Sequence, residues 1–156
     1  MPKYYFRTIS RRNLPSFERA NSVGYLIEGN QLCVISMTET GTSWETLSGV
    51  EIDVPNRKIV SQVRASIIGS IKGKKVFLID VIKFGKVSFK GKPWSLRSDA
   101  IDQIIGQVDS VFSFCRPVAV QRGLIPAFDN VCKKGGLGMI LWRSGFNHPF
   151  LCQRME

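Results

Sequence analysis

The sequence predicts an α+β domain, with antiparallel β-sheets flanked by short helices. Three observations point there. The first half is a succession of short β-patterned runs broken by Gly, Asn and Thr turns. From Ser95 to Val108 the apolar residues Leu96, Ala100, Ile101, Ile104, Ile105 and Val108 recur at spacings of about three and four, the mark of one helix face. A second helical run ends in Lys133-Lys134-Gly135 and leads into a hydrophobic strand.

Taken in order, Val23 to Ile27 and Gln31 to Ser36 read as two strands of a hairpin, turned by Glu28-Gly29-Asn30. Thr40-Gly41-Thr42 marks the next turn. Ile59 to Ile68 and Lys75 to Lys83 are two further strands, joined through a Gly- and Lys-rich connection. Either Ser95 or Ser98 is placed to cap the following helix, and Asp99 and Asp102 suit its positive end. A short helix begins at Pro126 and runs through Phe128, Val131 and Cys132; basic residues and a glycine close it, as helix C-termini favour.

At 156 residues the chain is long enough for one proper core, and residues 14–156 read as a single domain behind a basic segment at 1–13. With 44% hydrophobic and 22% charged residues it should fold. Its apolar runs are strand-length, and the N-terminus lacks a secretory pattern, so a soluble, cytoplasmic protein with no membrane contact is expected. Cys33, Cys115, Cys132 and Cys152 are scattered and His148 is the single histidine, a pattern that suits buried reduced thiols and neither a zinc site nor a cysteine or serine hydrolase. No metal or cofactor is expected.

Charge is the strongest global signal. Twenty-two Lys and Arg against 12 Asp and Glu give +10, a field that concentrates polyanions. Lys72, Lys74, Lys75, Lys83, Lys86, Lys90, Lys92 and Arg97 stand in one segment against Asp80 alone. Phe84, Phe89 and Trp94 are interleaved, and aromatics beside cations are what a single-stranded nucleic-acid site uses, although these rings would serve a core equally well. Arg11 and Arg12 form a second basic cluster with Arg7.

Several segments, in this order, resemble the nucleotidyltransferase (adenylation) domain of ATP-dependent DNA ligases, RNA ligases and mRNA capping enzymes. Phe77-Leu78-Ile79-Asp80-Val81-Ile82-Lys83-Phe84-Gly85 resembles the family's F-D-(L/V)-L-x-x-x-G strand, and Lys92-Pro93-Trp94-Ser95-Leu96-Arg97 its L-P-x-x-x-R helix entry. Gly135-Gly136-Leu137-Gly138, running into Met139-Ile140-Leu141-Trp142-Arg143, resembles G-G-E-G and its strand, with Leu137 in place of the glutamate. Arg19-Ala20-Asn21-Ser22 is placed against K-x-D-G, Ser36 to Gly41 against S-R-x-G, Ser48 to Ile52 against the D-G-E strand entry, and Cys152-Gln153-Arg154 against K-x-K.

The resemblance implies a ligase-like core without the OB domain that clamps DNA in most ligases. It also implies a chain with no catalytic residues, since an arginine, always protonated, cannot replace the attacking lysine. On that basis the expectation is a non-catalytic nucleic-acid-binding protein, favouring RNA or single strands, similar to small basic RNA binders of large bacteriophages. Arg19, Lys133, Lys134 and Arg143 would flank a residual nucleotide cleft. A nucleotide- or cap-binding module, a divergent active nucleotidyltransferase and a binder of an acidic protein partner are the alternatives.

Overall fold

The computed structural model describes residues 6–38, 41–52, 59–61, 64–110, 113–143 and 148–154. They form two β-sheets packed face to face, with helices on the two outer faces. The first sheet has the strand order β1 (Arg7–Ile9), β13 (Phe150–Gln153), β12 (Gly138–Trp142), β2 (Val23–Ile27), β11 (Ala119–Val120). The second has the order β10 (Ser113–Cys115), β7 (Lys75–Phe84), β6 (Ala65–Lys72), β3 (Leu32–Met37), β4 (Thr42–Thr46), with β8 (Val87–Ser88) pairing β7 beside this path. A small two-stranded piece joins β5 (Ile59–Ser61) to β9 (Val108–Ser110). The mixed α+β class and its antiparallel sheets are as the sequence predicts; only β1 and β10 join their neighbours in parallel.

Alternation along the strands sorts the apolar residues into three layers. Cys33, Ile35, Met37, Ile67, Leu78 and Val81 point out of the second sheet onto α2 (Trp94–Gln107), which contributes Ala100, Ile101 and Ile104. Val34, Ile68, Phe77 and Ile79 point the other way, meeting Ile27, Ile140, Trp142 and Leu151 of the first sheet. The far face of the first sheet, through Met139, Leu141 and Cys152, carries α1 (Leu14–Arg19) and α3 (Leu124–Lys133), which bury Leu14, Phe17, Leu124 and Phe128.

One expectation is corrected at the start of this arrangement. β2 and β3 are not a hairpin: β2 pairs with β12 and β11, while β3 pairs with β4 and β6. Residues 28–31 instead carry the chain from one sheet to the other. Both strands are needed to fill the inter-sheet layer, Ile27 from one side and Leu32 and Val34 from the other. The corner is closed from outside, because the Leu137 N–H lies 3.0 Å from Ile27 O and 2.9 Å from Gly29 O. A side chain at Gly29 would collide with Ser70 and the Ile71 carbonyl.

The helices start earlier than predicted. α2 begins at Trp94, so neither Ser95 nor Ser98 stands before it, and its first turn holds no acid. Asp102 is held instead by Arg116, whose Nε donates to it at 2.8 Å. α3 begins at Leu124, two residues ahead of Pro126, after Gly123 in the left-handed conformation. α1, which the sequence reading passed over, is short and opens with a proline in its first turn.

The basic N-terminal segment enters the sheet, with β1 pairing β13. Behind it, Arg11 makes a bidentate pair with Asp129 of α3, both contacts at 2.7 Å. The strand over Lys75 to Lys83 forms as predicted, but the run read as one strand over Ile59 to Ile68 does not. β5 pairs β9 in its own small sheet, and β6 runs on to Lys72, so the connection shrinks to a tight turn with Gly73 at φ 61 and Lys72 opposite Lys75.

Inside the molecule, Asp80 and Arg97 form a buried ion pair at 2.9 Å, with side-chain exposures of 0% and 3%. Asp80 Oδ1 also accepts from the Val81 N–H, and Arg97 Nε donates to Lys92 O. Removing one partner of such a pair strands a buried charge. Arg97→Met should therefore destabilise the fold by about 3–5 kcal/mol, whereas Asp80→Leu/Arg97→Met together should cost much less. Urea denaturation of the three proteins checks this; equal losses for the single and double variants would show that the pair is not what holds α2 on β7.

The thiols give a second prediction. Burial pushes Cys33 up to about 12 and Cys152 up to about 11. The thiolate is the reactive form, so at pH 8 both should resist alkylation in the folded protein and react on unfolding. Mass-resolved labelling with and without denaturant reads this out, and labelling of Cys33 in the native protein would contradict it.

Candidate nucleic-acid interface

Polarity between the sheets changes along β3. Its inward residues are Leu32, then Val34, then Ser36, and their partners on β6 are Ser70, Ile68 and Ser66. The apolar layer thus ends at a row of hydroxyls. Ser36 is opposite Ser43 of β4 and Ser66 of β6, Ser66 is opposite Lys83 of β7, and Lys83 is opposite Ser88 of β8. Directly opposed residues share a face, so five neighbouring strands present Ser43, Ser36, Ser66, Lys83 and Ser88 in one polar row. At about 4.8 Å per strand the row is roughly 19 Å long.

The middle of the row opens into a pocket of about 180 Å³ lined by Ser36, Thr38, Arg64, Ser66, Lys83 and Gly85, with Met37 and Ala65. Its two charged groups are both cations. Local geometry keeps them together. Lys83 and Ser66 are held in register by the β6–β7 ladder, and the Gly85 N–H donates to Arg64 O at 2.7 Å, tying Arg64 to the turn after β7. Gly85, at φ 61, gives that turn its left-handed residue. Lys86 follows it, exposed.

The basic run of the sequence is therefore split. Lys72, Lys74 and Lys75 stand exposed at the hairpin tip, while Lys83 and Lys86 lie at the other end of β7, roughly 25 Å away at the rise of an extended strand. Lys72 approaches Glu28 at 3.8 Å. Lys90 is exposed in the turn before α2, and Lys92 is half-buried with its carbonyl bound to Arg97.

Arg97 itself is a correction. It is 2% exposed and spent on Asp80, so it is no phosphate contact. Arg11 is likewise taken up by Asp129, while Arg12 remains exposed. Arg64, Ser36 and Ser66 were missed. Their signal is the cross-strand register, which links positions some thirty residues apart and is invisible to local patterning.

Of the interleaved aromatics, Phe89 is a core residue and Phe84 and Trp94 are partly buried against the core. Phe89 is 7% exposed, Phe84 packs against the α2 layer, and Trp94 lies between both inner clusters. Trp94 stacks on Trp142 with centroids 4.9 Å apart and donates its Nε1–H to Tyr25 Oη at 2.9 Å. The Arg97 guanidinium sits 5.0 Å from the Trp142 ring. His148 lies near this column, and its pKa is lowered by burial first and by Arg7 and Arg97 after it.

Nor do the four residues assigned to a nucleotide cleft converge. Arg19 ends α1 on the outer face, and Arg143 leaves β12 to lie 5.5 Å from the Phe17 ring on that same side. Lys133 and Lys134 end α3, next to the opposite end of β12. Arg19-Ala20-Asn21-Ser22 is the turn after α1, with Asn21 at φ 56, and Ser48 to Ile52 is a turn at the sheet edge rather than a strand entry. Leu137 packs against the inter-sheet layer, and Gly136 is pressed so closely on Ile27 O that a Cβ would lie 2.6 Å from it. Among the described residues no three His, Cys, Asp or Glu side chains group as a metal ion would require. Among the same residues no helix is long and apolar enough to cross a membrane.

No protein-family model matches the sequence, and comparison with curated proteins gives no match. Comparison with solved structures does. Mycobacterial DNA ligase D complexed with ATP and MES superposes with a TM-score of 0.60 at 9% identity, covering 99% of this chain and 60% of that one. The ligase domain of M. tuberculosis LigD gives 0.60 at 8% identity, covering 96% and 56%. A Lig E DNA ligase, described as binding DNA with a minimal scaffold, gives 0.57 at 13% identity, covering 96% and 65%. The chain thus spans less than two thirds of the length of each.

The expectation that the chain is not an enzyme is corrected by these likenesses, because the structures that share its architecture are ligases, which are enzymes. At such identities the likeness establishes the fold alone: the chain has the nucleotidyltransferase-like fold of ATP-dependent DNA ligase domains.

Proposed function

We propose that the protein binds nucleic acid through phosphate contacts from its exposed cations. One observation carries this reading: several acids, buried and exposed, are taken up by arginines or a backbone N–H, while a larger set of cations stands exposed. Asp80 is paired with Arg97, Asp102 with Arg116 and Asp129 with Arg11, and Glu18 accepts the Gly123 N–H at 2.6 Å. Lys74, Lys75, Arg64, Lys83 and Lys86 stand exposed. A surface so biased attracts polyanions and releases their counterions on contact. The fold adds support, since one protein that shares it is described as binding DNA with a minimal scaffold.

The expectation of RNA or single strands rests on two grounds: a lone adenylation domain cannot encircle a duplex, and lysine-rich loops with interleaved aromatics suit flexible strands. With Phe89 buried and Phe84 and Trp94 packed against the core clusters, the second ground is weakened, and sequence-tolerant backbone contact is what the surface offers.

Titrations of single-stranded RNA, single-stranded DNA and duplex DNA at several salt concentrations test the reading. Five phosphate contacts give a slope of log K against log salt of about −3.5 for single strands and −4.5 for duplex. Lys74→Glu/Lys75→Glu should flatten the slope by about 1.5–2. A flat salt response in the wild-type protein, or a slope untouched by the double reversal, would remove the hairpin tip from the interface.

A further inference from the structure

We propose that the pocket between Arg64 and Lys83 is a discrete binding site for one phosphate group. The inference rests on the nucleic-acid reading for the source of that phosphate, but the pocket has chemistry of its own. Arg64 and Lys83 line it and no acid among its lining residues opposes them. Gly85 ties the Arg64 backbone to the turn that follows Lys83, so the two cations are presented together.

Hydroxyls complete the set. Ser36 Oγ and Ser66 Oγ lie 3.2 Å apart, so one hydroxyl donates to the other. One O–H of the pair is then left to donate to an anion, beside a guanidinium and an ammonium that donate charge-assisted bonds. The pocket's 180 Å³ is the space of about six waters at ~30 Å³ each, enough for a tetrahedral oxyanion with part of its hydration.

Packing gives no reason for the serines. On the same face the preceding row is Val34 and Ile68, both buried in the inter-sheet layer, and apolar residues at 36 and 66 would extend that layer. Ser43 and Ser88 continue the polar row on either side, so a strand whose phosphate sat in the pocket would find hydroxyls along its path. The hairpin tip differs: Lys74 and Lys75 are exposed there, and neither lines this pocket.

The test is a titration with inorganic phosphate at constant ionic strength, read by backbone amide NMR. Saturable shifts are expected at residues 36–38, 64–66 and 83–85. Arg64→Met/Lys83→Met should weaken phosphate at least about tenfold, the loss of roughly one charge-assisted bond, and Lys74→Glu/Lys75→Glu should leave it unchanged. Ser36→Ala/Ser66→Ala, expected to weaken it about threefold, serves as the second variant should the first perturb the fold. Shifts that rise linearly without saturation, that centre on the hairpin tip, or that persist at full affinity in both pocket variants would overturn the site.

Oligonucleotides of one sequence, with and without a 5′-phosphate, then identify the source. Equal weakening of both by the pocket variant assigns an internal backbone phosphate; weakening of the phosphorylated strand alone assigns a terminal one. If inorganic phosphate saturates the pocket but no oligonucleotide binds the wild-type protein, the site stands and the nucleic-acid reading falls. Salt-dependent oligonucleotide binding unaffected by Arg64→Met/Lys83→Met, with no saturable phosphate response, leaves the nucleic-acid reading standing and removes the pocket.

Discussion

The structure is organised around a charge that cannot be left alone. Asp80 lies at 0% exposure in the middle of β7, where a carboxylate without a partner would be prohibitive. Arg97 answers it from the first turns of α2, and its remaining donors and its flat face are used as well: Nε bonds Lys92 O, and the guanidinium lies against Trp142. Trp142 belongs to the other sheet. It stacks on Trp94, which in turn bonds Tyr25 of β2. A single column therefore joins α2, the second sheet and the first sheet. Arginine suits this role because its fork can serve a carboxylate and a carbonyl while its plane packs on an indole, which a lysine could not do.

This constraint also decides where function can lie. The column and the apolar residues around it fill the inter-sheet layer at its centre, leaving the polar end of β3 and β6 as the open part of the groove. Outside, the same economy of charge recurs. Asp102 and Asp129 are held below the usual carboxylate range by hydrogen bonds from Arg116 and Arg11, so they neutralise structural arginines rather than the exposed lysines. The chain's net +10 is thus distributed unevenly, with the surplus carried on turns and strand ends.

Much of the fold was readable in the sequence because it is written locally. The period of α2, the Lys133-Lys134-Gly135 ending of α3 and the Gly73 turn of the β6–β7 hairpin each report on their immediate neighbours. The β2–β3 corner was misread for the same reason: Gly29-Asn30 has hairpin chemistry, and only the distant partners Leu137, Ser70 and Ile71 turn it into a crossing between sheets. Site residues suffered more. Arg97 looks like one more cation in a basic run until Asp80, seventeen positions earlier, folds onto it.

Ser36, Ser66 and Arg64 show the converse. Ser36 enters only as the first residue of a segment set against S-R-x-G, and Ser66 and Arg64 belong to no short motif. Register makes them a set: the two bulges in the β6–β7 ladder shift the pairing so that Ser66, and not a neighbour of opposite facing, meets Lys83. Remove the bulge between Ser66 and Ile67 and Ser66 pairs with Ile82, which would take Lys83 out of the row and bring an apolar side chain to the pocket wall. The irregularities in this ladder are therefore what separates a continuous apolar layer from a groove with a cationic, hydroxyl-lined mouth. A basic surface on this fold needs only lysines on turns, but a pocket with two cations and paired serines needs the strands in one register.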